Sequence, residues 1–83
     1  MTYNVAISPE GNYKFNDRTH HLYFEPRGAM YDPVDVPLPT TPGDHPVYDA
    51  VVAFAHAHGY HMPGRISDPM YARVEALTNP PAL

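Results

Sequence analysis

Hydrophobic and polar positions alternate over the first 25 residues and then, from about residue 46, recur every three or four. Tyr3, Val5 and Ile7 share one face of an extended Tyr3–Ile7 segment, the period-two pattern of a half-buried strand. Ser8-Pro9-Glu10-Gly11-Asn12 is a turn cluster, Tyr13-Lys14-Phe15 alternates again, and Asn16-Asp17-Arg18-Thr19 is a second turn. His20-His21-Leu22-Tyr23-Phe24-Glu25 reads as a third short strand. These spacings predict a meander of two or three antiparallel strands over residues 1–25. A sheet this small is marginal alone in water, so it must pack on something.

Residues 26–45 break the pattern. Pro26, Pro33, Pro37, Pro39 and Pro42 occur there with Gly28 and Gly43. Proline lacks a backbone donor and locks φ, which excludes a helix or an inner strand. Val34, Val36 and Leu38 alternate, so the stretch reads as an extended connector, either a semi-rigid linker or an arm lying against a core or partner.

Residues 46–79 read as helix–loop–helix. Asp44 is the expected N-cap and Pro46 falls in the first turn, where a missing N–H costs little. Val47, Val51, Phe54, Ala55 and His58 form one stripe, and Gly59 is a natural stop. A second helix is expected from Ser67 or Asp68, with Pro69 in its first turn, Met70, Val74 and Leu77 at helical spacing, and Asn79-Pro80-Pro81 ending it. The fold class is α+β in one compact domain. Its expected core is Val5, Ile7, Phe15, Leu22, Phe24, Val51, Phe54, Ile66, Val74 and Leu77.

Charge narrows the partners. The 83 residues carry a net charge of −4. Residues 1–43 hold three basic side chains (Lys14, Arg18, Arg27) against five acidic, and residues 44–83 hold two (Arg65, Arg73) against four. Neither half is a basic module, which disfavours phosphate-driven binding to nucleic acid or to anionic membranes. No apolar run approaches the roughly 18 residues of a membrane span, and Met1–Val5 lacks the features of a signal peptide. Without cysteine there is no disulfide or thiolate. The cytoplasm or the interior of a virus particle is therefore expected over free secretion. Eleven prolines give more than twice the usual share of about 5%.

The run Val51-Val52-Ala53-Phe54-Ala55-His56-Ala57-His58-Gly59-Tyr60, followed by Pro63-Gly64-Arg65-Ile66 and a short helix, resembles the C-terminal DNA-binding domain of the actinobacterial Lsr2 family. The peripheral subunit-binding domains of acyltransferases, which bind protein, are similar in having Gly-Arg-Ile before a second helix. The resemblance covers about a third of the chain. It implies a setting in an actinobacterial phage and assigns minor-groove recognition of AT-rich DNA to Pro63, Gly64 and Arg65, arginine suiting that narrow groove. Pro63 stands where the Lsr2 family has its first arginine, and the loop is about two residues shorter.

Chemistry-bearing clusters are sparse. His56, His58 and His61 lie close in sequence, but His56 and His58 diverge on a helix, and zinc sites usually include thiolates; no metal or cofactor is expected. Ser8 and Ser67 lack a nucleophile-elbow setting, no local spacing pairs carboxylates for acid–base work, and no glycine loop cradles phosphate. An enzyme is not expected. Seven tyrosines and three phenylalanines are a large aromatic share, and tyrosine's apolar ring and polar tip suit interfaces. Tyr60, Tyr71, Tyr31 and Tyr23 are the expected partner-binding residues, Tyr13 a further aromatic of the same kind. The expected function is a non-catalytic protein-interaction or accessory module, possessing no membrane or small-molecule partner. A minor-groove DNA binder and a virion structural subunit are the alternatives.

Overall fold

The computed structural model describes residues 1–28, 31–65 and 71–79. Its elements are strands β1 (Thr2–Ser8), β2 (Gly11–Asn16), β3 (His21–Pro26) and β4 (Val34–Asp35), helix α1 (Pro46–Ala57), strand β5 (Gly64–Arg65) and helix α2 (Tyr71–Thr78). The fold is α+β, as the hydropathy pattern predicts. The strands form one antiparallel sheet in the order β4-β3-β2-β1-β5.

The first hairpin is short because Pro9 and Glu10 alone separate β1 from β2, and Ser8 Oγ donates to the Gly11 carbonyl at 2.9 Å. Gly11 is obligatory for packing: a Cβ there would lie 2.3 Å from the Glu25 carbonyl oxygen and 2.9 Å from the Phe24 ring. The second hairpin turns on Asn16, whose Oδ1 accepts from the Arg18 and Thr19 amides at 2.9 and 3.3 Å, an Asx turn. Arg27 secures the first hairpin from below, donating from Nε to Pro9 O and from Nη2 to Ser8 O, both at 3.0 Å.

One sheet face is buried under the helices. Val5, Ala6, Tyr13, Phe15, Leu22 and Phe24 from the sheet meet Val47, Val51 and Phe54 of α1 and Val74 of α2. Aromatic rings fill the centre: Tyr13 lies 4.8 Å from Phe24, and Phe54 lies 5.6 Å from Phe24 in a tilted arrangement, a favourable offset geometry.

Several expectations are corrected. Ile7 is 51% exposed, because a bulge between Asn4 and Ala6 places both Val5 and Ala6 inside and turns Ile7 to the open face. Tyr13 belongs wholly to the core, its ring fully buried. Leu77 is 40% exposed; the buried stripe of α2 is Tyr71, Val74 and Thr78, with Thr78 Oγ1 satisfied by the Val74 carbonyl at 2.9 Å. The N-cap of α1 is His45, with no side-chain cap bond. Gly59 does end α1: at φ +67° it follows a helix end where its amide donates to His56 O and the Tyr60 amide to Ala55 O, a Schellman closure. Ile66 and the expected second-helix start at Ser67 or Asp68 lie outside the described residues, as do Pro80 and Pro81.

The sheet is also wider than the expected meander. β4 arises inside the Pro-rich segment, and β5 is the Gly64-Arg65 pair expected in a loop. Val36 donates its amide to Leu22 O at 2.9 Å, and Val34 pairs with Phe24. Antiparallel alternation therefore turns positions 33, 35 and 37 to the outer edge. Two of these three are proline, so the missing donors fall where no strand needs them. The segment stays in place because Val36 is buried in the core, Leu38 packs against it, and the Asn79 side-chain amide bonds Gly43 N and O, both at 3.2 Å.

Candidate functional site

The inner stripe of α1 packs on the sheet; its outer side is the unusual one. Asp49, Ala53, His56 and Ala57 are exposed, with Val52 and Ala50 half-buried beside them. Among the described residues of α1, Asp49 and the His56 imidazole are the ionisable groups exposed on this outer face. A helix bathed in water on one side normally shows charged residues there, whereas a helix apolar all round is covered on both sides.

Depressions flank this face on both sides. The one towards the Pro-rich segment measures about 670 Å³ and is lined by Pro37, Leu38 and Pro39 on one wall and Ala50, Ala53 and Ala57 on the other, with Asp35 and Asp49 at its rim. The one on the far side measures about 410 Å³ and is lined by Val52, Ala53, His56, Tyr60 and Met62. Met62 is 70% exposed, a long apolar side chain of the adaptable kind common at binding surfaces.

Two polar tethers hold the Tyr60–Pro63 wall in position. Glu10 Oε2 lies 2.5 Å from His61 Nδ1, and Glu10 Oε1 accepts from the His61 amide at 3.2 Å. The hydrogen bond from the His61 side chain holds the Glu10 carboxyl below its ordinary 4.5, against an opposing effect of partial burial. Tyr48 donates its hydroxyl to Pro63 O at 2.9 Å. At the end of α1, the His58 ring stacks on Phe54 at 4.1 Å and on Tyr60 at 5.4 Å, with Nδ1 2.9 Å from Phe54 O. The floor on which both depressions rest is thus an aromatic stack continuous with the core.

Of the four tyrosines expected to bind a partner, the structure brings only Tyr60 to this surface. Tyr71 is buried, 7% exposed, which removes it as a surface contact; burial, then the nearby Glu75 charge, pushes its hydroxyl up, with Arg65 opposing. Tyr31 is 67% exposed in a separate depression beside Arg27 and Gly28, where the Arg27 guanidinium is already committed to two carbonyls. Tyr23 is half-buried on β3, on the open sheet face opposite the helices. Val52, Ala53, His56 and Met62 were not among the expected residues. The signal for Val52 and Ala53 was present in the unbroken apolar run Val51–Ala55, which is too wide for a single helical stripe; His56 and Met62 lie outside that run and join the surface only through packing.

The expected DNA contacts fall elsewhere. Pro63 is buried, and Gly64 and Arg65 are edge-strand residues paired with Ile7 and Ala6. The Arg65 guanidinium lies 5.3 Å over the Tyr71 ring, a cation–π contact, with Nη1 3.2 Å from His45 Nδ1. His45 Nδ1 is also 3.3 Å from Glu75 Oε1. Lys14 pairs with Glu25 at 3.2 Å. With Arg27 engaged as well, three of the five basic side chains are already occupied within the fold. Among the described residues, no three His, Asp or Glu side chains converge in a way that could hold a metal ion, and no helix is long and apolar enough to cross a membrane.

Comparison with protein-family models, curated proteins and solved structures returns no match to this chain.

Proposed function

We propose that this chain is a small non-catalytic protein-interaction or accessory module whose contact surface is the outward face of α1 with the depressions on either side. The observation that carries this reading is the composition of that face: four apolar positions, Ala50, Val52, Ala53 and Ala57, with a single carboxylate and an imidazole, on a helix already packed on its other side. Burying such a face against a partner gains about 25 cal/mol for each Å² of apolar surface removed from water. Protein partners have the matching apolar patches; phosphate backbones do not. The lack of cysteine is compatible with a reducing compartment or a virus particle.

Affinity capture with three baits tests the reading: the unaltered chain, Ala53→Arg on the outward face, and Asn4→Asp on the exposed side of β1. The expected result is a partner recovered by the first and third and lost with the second. Equal recovery by all three would remove α1 as the contact surface. A parallel low-salt titration of AT-rich duplex should leave the DNA mobility unchanged. Retardation abolished by Arg65→Ala would instead favour the Lsr2-like minor-groove alternative.

A further inference from the structure

We infer that the occupant of the outward face of α1 is a second copy of this chain, docked antiparallel about a twofold axis that passes between Val52 and Ala53. The inference rests on the reading of that face as a protein-contact surface and identifies what covers it.

The central line of the face is Asp49, Val52, Ala53 and His56, positions three and four apart that fall on one narrow seam of a helix. In an antiparallel pair about the stated axis, each position meets its mirror in sequence. Asp49 faces His56 of the second copy, His56 faces Asp49, and Val52 faces Ala53. Both polar groups of the seam thereby find partners, and the contact closes on itself as an isologous interface must. A parallel pair would set Asp49 against Asp49. A strongly basic partner would satisfy Asp49 but set a cation beside His56.

The sizes also fit. Ala53 at the centre lets two helix axes approach at the short end of the usual 8–10 Å range. The antiparallel symmetry sets like wall against like wall. The exposed Met62 of each copy then closes over the depression beside Val52 of the other, and the Leu38 walls meet on the opposite side. These walls widen a contact that a 12-residue helix alone would leave well below the roughly 800 Å² per partner of a stable interface. The net charge of −4 on each copy opposes association at low salt and is screened beyond roughly 8 Å at physiological ionic strength.

Sedimentation equilibrium of the purified chain, from micromolar to submillimolar concentration at physiological salt, is the test. The expected result is a reversible dimer that Ala53→Arg weakens by at least roughly tenfold, with an unchanged circular-dichroism spectrum reporting an intact fold. Asp49→Lys and His56→Glu should each weaken it, and the two together should restore it, because the exchanged charges face each other again across the axis. A chain that stays monomeric throughout overturns the inference, and so does a dimer indifferent to Ala53→Arg and to the charge exchange. The broader reading fails separately. If the chain is monomeric yet Ala53→Arg still abolishes capture of another protein, the face binds a different occupant and the second-copy inference alone falls.

Discussion

At Gly11 the chain passes so close to β3 that a hydrogen is the only side chain that fits. The obstacle is backbone, since an added Cβ would meet the Glu25 carbonyl oxygen at 2.3 Å, and it would also meet the Phe24 ring at 2.9 Å. Neither can yield without opening the β2–β3 ladder or displacing the central ring of the core. Gly11→Ala is therefore expected to destabilise the fold by about 2–3 kcal/mol, the cost of forcing atoms into a filled site, read as a lowered urea midpoint with an unchanged slope. Gly59 offers a contrast: nothing lies within 4 Å of an added Cβ, and only its left-handed backbone favours glycine. The sequence marks both glycines as turn residues. The tight contact at Gly11 is invisible there, because it is made by Phe24 and Glu25, 13 and 14 positions away, through register.

At the scale of elements, the strands and helices with a clear period were legible and the two short edge strands were not. β4 and β5 are each two residues long: the alternation of Val34, Val36 and Leu38 marks the first as extended, but its prolines argue against a strand on propensity alone, and Gly64-Arg65 is too short to show a period. β5 joins the sheet at β1, pairing Gly64 and Arg65 with Ile7 and Ala6; the opposite edge accepts β4 because prolines 33 and 37 face outwards. This placement also blunts the edge. A double variant, Pro33→Thr with Pro37→Thr, would restore two outward N–H groups beside that of Asp35 and leave the inner ladder unchanged. The expected outcome is retained folding but faster aggregation on warming, followed by light scattering and thioflavin fluorescence, since an open edge with its donors is a template for strand addition. Aggregation no faster than that of the parent chain would show that the prolines do not guard the edge. The bulge in β1 carries a similar lesson: alternation placed Ile7 inside, and the extra residue at Val5–Ala6 moved it out.

For the whole molecule, pH reports how the pieces are tied together. Glu10, bonded by His61, and Asp17, bonded by the Met1 amino group at 2.6 Å, both have carboxyls held below their ordinary 4.5 and 3.8. A depressed folded pKa contributes stability that is complete above the ordinary value and lost as pH falls through the lowered one. Tyr13 works in the opposite direction. Burial first, then the charges of Glu10 and Tyr60, push its hydroxyl from 10.0 up to about 12, and Tyr71 is raised as well. A raised folded pKa contributes stability that is complete below 10 and lost as pH rises towards the folded value. The thermal midpoint should thus fall below about pH 4 and fall again above about pH 10. Glu10→Gln should remove part of the acid decline and leave the alkaline one; an acid limb identical to the parent's would show that the Glu10–His61 tether contributes nothing.

Hydropathy alone determined the α+β class, a meander of two or three strands, the span of α1 with its glycine stop, and about half of the core. These follow from periods of two and three to four, which local geometry imposes on any chain with one buried side. The charge balance likewise set the expectation against phosphate recognition before any coordinate. The tertiary structure decided what depends on distant residues meeting. It carried Gly64-Arg65 to a sheet edge and Arg65 onto Tyr71, buried Tyr13 and Tyr71, and left Val52, Ala53 and Met62 together on a surface. A one-dimensional pattern tells which side of an element is apolar, but only packing uses up one such side and leaves another bare.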